Sequence, residues 1–379
     1  MASDVLPANC LQPLWVTDLG DDAIDLASLC GLHLDEWQQE ILRTSLGMGA
    51  DDRFSARQML LLVPRQQGKN ITIEARELAG LFLLHEKIML HTAHEYKTAV
   101  SSYRRMKEWI DQAGSALPHY SKIRWRENTT ETSIYIPKVD RGGDQRESSF
   151  LQFTPRTSAA GRGLTVELLV VEEAYEYTAS AASALAFTQN QSKNPQSWIT
   201  SSTGFPESTE LLALRELGLS AELDNLGFFE FKADDDCDPG DKSQWRKALP
   251  GLVSGRQRIS EIEAHYTKAK ALGDFTDFNR EILGLWATND IPSLIPAPLW
   301  HSLKVEDLDS WVAPDEFAFG VQVSPATAGR QRTYIYACGQ DELGFYHVWN
   351  VADDDDILWA ADFLKIQQAR RKPRVEAHF

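Results

Sequence analysis

Between Pro64 and Asn70 the sequence Pro-Arg-Gln-Gln-Gly-Lys-Asn follows an apolar run, Leu60-Leu61-Leu62-Val63, and precedes a helix-forming stretch, Ile71 to Leu84. An apolar strand that empties into a turn ending in Gly-Lys, and then into a helix, suits a triphosphate. Backbone N–H groups of such a loop wrap the α- and β-phosphates, the Lys reaches the β- and γ-oxygens, and the helix N-terminus adds partial positive charge. Lys69 is the candidate for the charge, with Arg65, Gln66, Gln67, Gly68 and Asn70 lining the loop around it. Against the pattern G-x-x-x-x-G-K-[ST], Val63 stands at the first Gly and Asn70 at the magnesium-binding hydroxyl. Taken alone, the stretch also fits an ordinary strand-turn-helix connection.

Further along, Leu164 to Val171 is a second apolar strand, and it ends in two adjacent acids, Glu172 and Glu173. A phosphate-binding loop that hydrolyses its nucleotide needs such acids at the carboxyl edge of the neighbouring strand. One carboxylate holds Mg²⁺ and the other orients and deprotonates the attacking water. Glu172 is assigned to the metal and Glu173 to the base. A pair of acids after a strand is also a common solvated helix start, favoured by the helix dipole, so the assignment leans on the loop upstream.

Taken in order, these segments and several others resemble the large terminase subunits of tailed bacteriophages, which are ATP-driven DNA-packaging motors. Pro64 to Asn70 is similar to the family's deviant Walker A, in which an Arg precedes and Asn can replace Ser or Thr. Val170 to Ala174 is similar to its Walker B, with Glu172 where Asp is more usual. Leu34 to Gln38 resembles the segment that contacts adenine, which brings in Trp37 and Gln38, and Trp198 to Thr203 the strand motif that couples hydrolysis to motion. Trp245 to Leu252 and Phe278 to Trp286 resemble segments that close the ATPase domain, so the likeness covers roughly residues 30 to 350. It implies a RecA-like P-loop fold with ATP and Mg²⁺ as cofactors. The implied partners are double-stranded viral DNA, a portal protein, a small terminase subunit and further copies of the chain in a ring, in the host cytoplasm. It also implies an arginine that reaches the γ-phosphate of a neighbouring subunit from the loop Thr154 to Gly163; Arg156 and Arg162 are candidates by position, and Arg65 is a third acting in its own subunit.

Composition bounds these readings. At 379 residues with 43% hydrophobic side chains, the chain is expected to make about two domains with a sizeable core. No apolar run approaches the roughly 20 residues of a membrane span, and the N-terminus lacks the charged start and hydrophobic run of a signal peptide. Cys10, Cys30, Cys237 and Cys338 stand far apart, which suggests free thiols rather than a zinc site or a disulfide framework. His91 and His94 could share a helix face as a ligand pair, but with no acidic or Cys partner assigned to them they are read as ordinary histidines.

With 38 basic against 55 acidic residues the chain carries a net charge of −17, so any DNA contact must be local. From Lys87 to Arg162 there are 13 Lys and Arg against 8 Asp and Glu. Lys97, Arg104, Arg105, Lys107, Lys122, Arg124, Arg126, Lys138, Arg141 and Arg146 are the candidates there, with a solvated face of mixed charge as the alternative for each.

Apolar runs that alternate with amphipathic stretches predict an α/β fold with a mostly parallel sheet covered by helices. The expected strands are Gln58 to Val63, Lys87 to Thr92, Ser149 to Phe153, Val166 to Val171, Ser197 to Ser201 and Phe228 to Lys232. These make an ATPase domain over residues 1 to 286. Asn289 to Pro298, with three prolines, marks a linker assigned to 287 to 312. Residues 313 to 379 then give three strands, Phe317 to Ser324, Thr333 to Cys338 and Phe345 to Val351, and a helix, Ile357 to Arg371. That opening resembles the family's ribonuclease-H-like nuclease. Its first metal-binding acid belongs in Gly320 to Ser324, where this chain has Gln322, and the next lies near where the chain stops at Phe379. Asp353 to Asp356 read as a solvated cap before the helix, and nuclease activity is expected to be absent. Beside a packaging ATPase, the sequence leaves room for a helicase-like translocase, which would need a second RecA-like domain, and for an assembly protein that binds ATP without turnover.

Overall fold

The computed structural model describes residues 6–128, 131–141, 144–146, 148–156, 163–286, 313–314, 316–323, 332–355 and 358–371. The chain divides into two compact units, Met1–Asn289 and Asp290–Phe379.

The first unit is built on one nine-stranded sheet. Its strands are β1 (Asn9–Leu11), β4 (Gln58–Leu62), β5 (Ile88–Ala93), β6 (Arg124–Glu127), β7 (Thr132–Ile136), β10 (Ser149–Pro155), β11 (Leu168–Val171), β12 (Gln196–Ser201) and β13 (Leu226–Glu230). Two short ribbons lie outside it, β2 (Thr17–Asp18) with β3 (Gly47–Met48) and β8 (Val139–Arg141) with β9 (Asp144–Arg146). The order in the large sheet is β1-β13-β4-β12-β11-β5-β10-β7-β6. The six strands from β13 to β10 are parallel, and β1, β7 and β6 pair antiparallel at the two edges. The six expected strands are these six parallel ones; the three edge strands were not expected. In β6, Arg-Trp-Arg-Glu is too charged to read as a strand and forms one because an edge strand needs only one partner and one covered face.

One expectation is corrected. The acidic strand β11 is not the neighbour of the loop strand β4, because β12 lies between them and pairs with both. The apolar runs make sense in the middle of a parallel sheet covered on both faces, where strands read as continuous hydrophobic stretches. Met59 and Leu61 point into one core with Trp37, Ile73 and Leu78, while Leu60 and Leu62 point into another with Val171, Leu185 and Ile199. Helices α1 (Gly20–Leu29), α2 (Glu36–Leu46), α3 (Lys69–Ala79) and α4 (Tyr96–Ala113) supply the first core. Helices α5 (Ala179–Phe187) and α6 (Thr209–Ser220) supply the second, and a third small core around Trp245, Phe278 and Leu283 closes the unit.

Beyond α3 the backbone widens into a π-helical turn, Gly80–Leu84. Buried Arg76 there forks onto Glu86 at 2.7 and 2.9 Å, donates from Nε to Gln196 at 2.8 Å and lies over the Phe54 ring. A Cβ on Gly80 would sit 2.3 Å from Glu86 Oε2 and 2.5 Å from Met89 Sδ, so only glycine lets the turn close on this pair.

In the second unit β14 (Phe317–Val323), β15 (Arg332–Gln340) and β16 (Tyr346–Asp355) form an antiparallel sheet, and the helix Leu358–Arg371 brings Phe363 to 6.3 Å from Phe319. Gln322 faces Tyr334, which faces Asp353. Asp353 to Asp355 are therefore strand residues rather than part of a loop cap, because pairing with Arg332 to Tyr334 extends β16 through the acidic run. Asp356 and the expected linker lie outside the described residues.

Arg76→Ala would leave the Glu86 carboxylate buried without its partner. The expected cost is about 3 to 5 kcal/mol in urea unfolding, and a loss under about 1 kcal/mol would show that Glu86 finds water instead.

Candidate functional site

The loop after β4 keeps two residues in the left-handed region, Gln66 at φ 62° and Gly68 at φ 92°. Its shape is imposed from outside. Gln38 accepts from Asp35 N through Oε1 and donates from Nε2 to Gly68 O, both at 2.8 Å, so the α2 N-terminus is tied to the loop backbone. Gln67 is buried; its amide donates to Arg65 O at 3.0 Å and Gln257 Oε1 at 2.9 Å, and its oxygen accepts from Gly251 N at 2.8 Å. Arg65 is half-exposed and pairs with Glu281 at 2.8 Å. Gln66 faces solvent. Trp37 lies in the core edge-on to Phe231 at 5.1 Å, and Thr203 is buried at the end of β12. The loop thus meets the start of α3, where Lys69 and Asn70 stand in the first turn beside free backbone N–H groups.

Asn70 reaches across to the acidic strand. Its Nδ2 donates to Glu172 Oε1 at 2.6 Å, so the loop and the acids are joined across the β12 gap. Glu172 is only 2% exposed, and its other oxygen faces His91 Nε2 at 3.0 Å and accepts from Ser102 Oγ at 3.1 Å. His91 Nδ1 in turn faces Glu77 Oε1 at 2.7 Å. Burial alone would raise the Glu172 carboxyl, but the hydrogen bond and charge of His91, with Arg105 and Lys69 behind them, bring it down to about 2. Burial would likewise lower the His91 ring, yet Glu77 and Glu172 push it up to about 10. The pair is therefore ionised at neutral pH. Lys69 is lowered by burial, against the pull of Glu172 and Glu173, so both acids act on it.

Glu173 itself is held at φ 55°, in the left-handed region, where the chain turns sharply out of β11. Such a position costs a non-glycine residue about 1 kcal/mol or more. Arg156 supports that turn from β10: Nη2 donates to Glu172 O at 2.8 Å and Glu173 O at 3.2 Å, and the guanidinium lies over the Tyr177 ring. Its Nε and Nη1 are buried with no partner among the described residues. Arg162 lies outside them.

The oxygen-rich set of Asn70 and Glu172 suits a hard ion such as Mg²⁺, which at phosphates takes one or two protein oxygens and fills its shell with phosphate and water. Among the described residues no cluster of three His, Cys, Asp or Glu makes an all-protein cage.

The reading of His91 as an ordinary histidine is corrected: within the expected strand it is locked between two acids that lie 14 positions before it and 81 after it. Sequence distance hid those partners; the signal available was a His in the middle of an apolar strand, which must find polar partners when buried. The cationic stretch is less free than its composition suggested. Arg104 pairs with Glu127, Arg105 with Glu74, Arg126 with Glu131 and Lys107 with Asp111.

No protein-family model matches the chain, and no curated protein matches it in sequence. Solved structures do. The large terminase of bacteriophage HK97 is 14% identical and superposes with a TM-score of 0.61 over 94% of this chain and 71% of its own. The ATPase-domain mutant of the Thermus phage P74-26 large terminase is 12% identical with a TM-score of 0.47, over 73% of this chain and 100% of its own. The large terminase of a thermophilic bacteriophage, in complex with ATP-γ-S, is 11% identical with a TM-score of 0.45, over 90% of this chain and 74% of its own. At such identities the likeness is one of fold, and the HK97 match carries it. The mostly parallel sheet, the loop at the end of β4 and the acids at the end of β11 thus stand within the fold of a bacteriophage large terminase.

Proposed function

We propose that this chain is an ATP-hydrolysing motor subunit that drives double-stranded viral DNA into a procapsid. The observation that carries the reading is the Asn70–Glu172 contact, which brings loop and acids into one site on a sheet with the terminase fold. The loop N–H groups and Lys69 bind the phosphates, and the Gln38 and Gln67 ties keep that cradle formed before the ligand arrives. Asn70, with Glu172 behind it, would hold the magnesium ion that neutralises phosphate charge. Glu173 orients the attacking water and takes its proton. Double-stranded DNA, a portal protein, a small terminase subunit and further copies of the chain are the proposed partners, in the host cytoplasm; among the described residues no helix is long and apolar enough to cross a membrane.

Lys69→Ala is expected to abolish hydrolysis, and Glu173→Gln to block turnover while ATP still binds. Turnover assays with and without DNA, alongside nucleotide binding, check both; undiminished turnover in Glu173→Gln would move the base elsewhere.

The arginines are separable by mixing. The contacts of Arg156 support a role within its own subunit, so Arg156→Ala should stay inactive when mixed with Lys69→Ala. If Arg162 completes a neighbour's site, Arg162→Ala should lose on the order of 10³-fold in turnover and recover part of it in the same mixture. Full activity in dilute monomer would instead assign the γ-phosphate contact to Arg65.

DNA cleavage is expected to be absent. Two-metal cleavage needs carboxylates that hold the ions about 3.5 to 4 Å apart, and Gln322 occupies the opening strand where the first acid belongs. Plasmid incubated with the protein and Mg²⁺ or Mn²⁺ should remain supercoiled. Nicking that vanishes when Asp353 to Asp356 are changed to Asn would give that acidic strand end a catalytic role.

A further inference from the structure

We propose that His91 is a positioning residue for the metal end of this site: anchored by Glu77, it holds the Glu172 carboxylate so that the Asn70 amide turns its oxygen toward the magnesium ion of a bound nucleotide. The inference deepens the nucleotide reading and rests on it.

Donor and acceptor roles set the direction of each contact. An ionised carboxylate only accepts, and an amide has one donating end and one accepting end. Glu172 Oε1 lies 2.6 Å from the Asn70 amide, so it receives the NH₂ group and Oδ1 faces the other way, accepting nothing among the described residues. A Ser or Thr at this position serves the acid and the metal with one hydroxyl; Asn does so with two atoms, and only while the acid stays ionised and in place. Glu172 therefore has to be fixed in orientation as well as in charge.

Two groups fix it. Ser102 Oγ and His91 Nε2 both converge on Oε2, at 3.1 and 3.0 Å, which leaves Oε1 to the amide. The His91 ring is itself gripped at its far side by Glu77 Oε1 at 2.7 Å. Both ring nitrogens face carboxylate oxygens, so the ring serves both as a doubly protonated bridge. Glu77 stands seven residues after Asn70, on the same face of α3, two turns along. The polar path therefore runs Asn70, Glu172, His91, Glu77 and back to the helix that carries Asn70, a closed loop through α3, β11 and β5. Loss of the partner directly behind a metal ligand typically costs 10 to 100-fold in metal affinity; Glu172 holds that place behind Asn70, and His91 stands one hydrogen bond further back.

The test measures ATP affinity by calorimetry, once in EDTA and once with Mg²⁺, so that it does not depend on turnover. Wild type should bind more tightly with the metal. His91→Gln should keep the metal-free affinity and lose up to about 10-fold of the magnesium gain, the low end of what loss of a direct partner costs, and Glu77→Gln, which leaves His91 on Glu172, should move in the same direction by less. Thermal melts establish that each variant is folded; should His91→Gln not fold, the Glu77→Gln comparison decides. An unchanged magnesium gain in the folded variants, or an equal loss with and without the metal, overturns the proposal. Wild type that binds no nucleotide at all sinks the nucleotide reading itself and the inference with it.

Discussion

A carboxylate that leaves water must be compensated, and the organisation around the acidic strand follows from that constraint. Glu172 sits at the carboxyl end of a strand with paired neighbours on both sides, where solvent cannot stabilise its charge. Its compensation comes from three elements at once: an amide from the first turn of α3, a ring from β5 and a hydroxyl from α4. Each of those elements is thereby held at a fixed distance from the acidic strand. The same logic repeats one layer away, where Glu74 takes Arg105 and Trp109, and at the far end of α3, where Glu86 takes Arg76. Helix α3 thus presents a buried ionic face where an amphipathic helix usually presents leucines.

This design accounts for the departures from a standard phosphate-binding loop. Val63 replaces a glycine, yet the loop still closes, because the left-handed positions fall on Gln66 and Gly68 and because Gln38 and Gln67 hold the backbone with their side chains. Asn70 replaces a hydroxyl, and Glu172, one methylene longer than the usual Asp, reaches the amide directly. The two substitutions are complementary.

The parallel core of the sheet was legible because buried strands carry long apolar runs. Residues 58 to 62 and 168 to 171 could hardly be anything else. The edge strands were not legible: β6 is mostly charged, and only its pairing with β7 makes it a strand. At the site, the loop and the two acids could be read from residue type and position in the chain, whereas the bridging His91 could not, because its meaning lies in partners on other strands and helices. The position of β12 was likewise invisible, since strand order is set by crossovers rather than by sequence neighbours. The basic stretch misled for a related reason. Charge was visible, but the acids that neutralise it lie 4 to 31 residues away.

The latch on Gln67 has a consequence for the way the chain is made. Its partners Gly251 and Gln257 lie 184 and 190 residues downstream. A ribosome that has released the loop, β4 and α3 has therefore released a cradle with one of its fastenings still unsynthesised. The loop is fully fastened only when the helical segment after β13 has emerged and folded back, among the most non-local contacts in the chain and so among the slowest to form. A nascent polypeptide therefore completes the fastening of this loop only when most of the first unit exists.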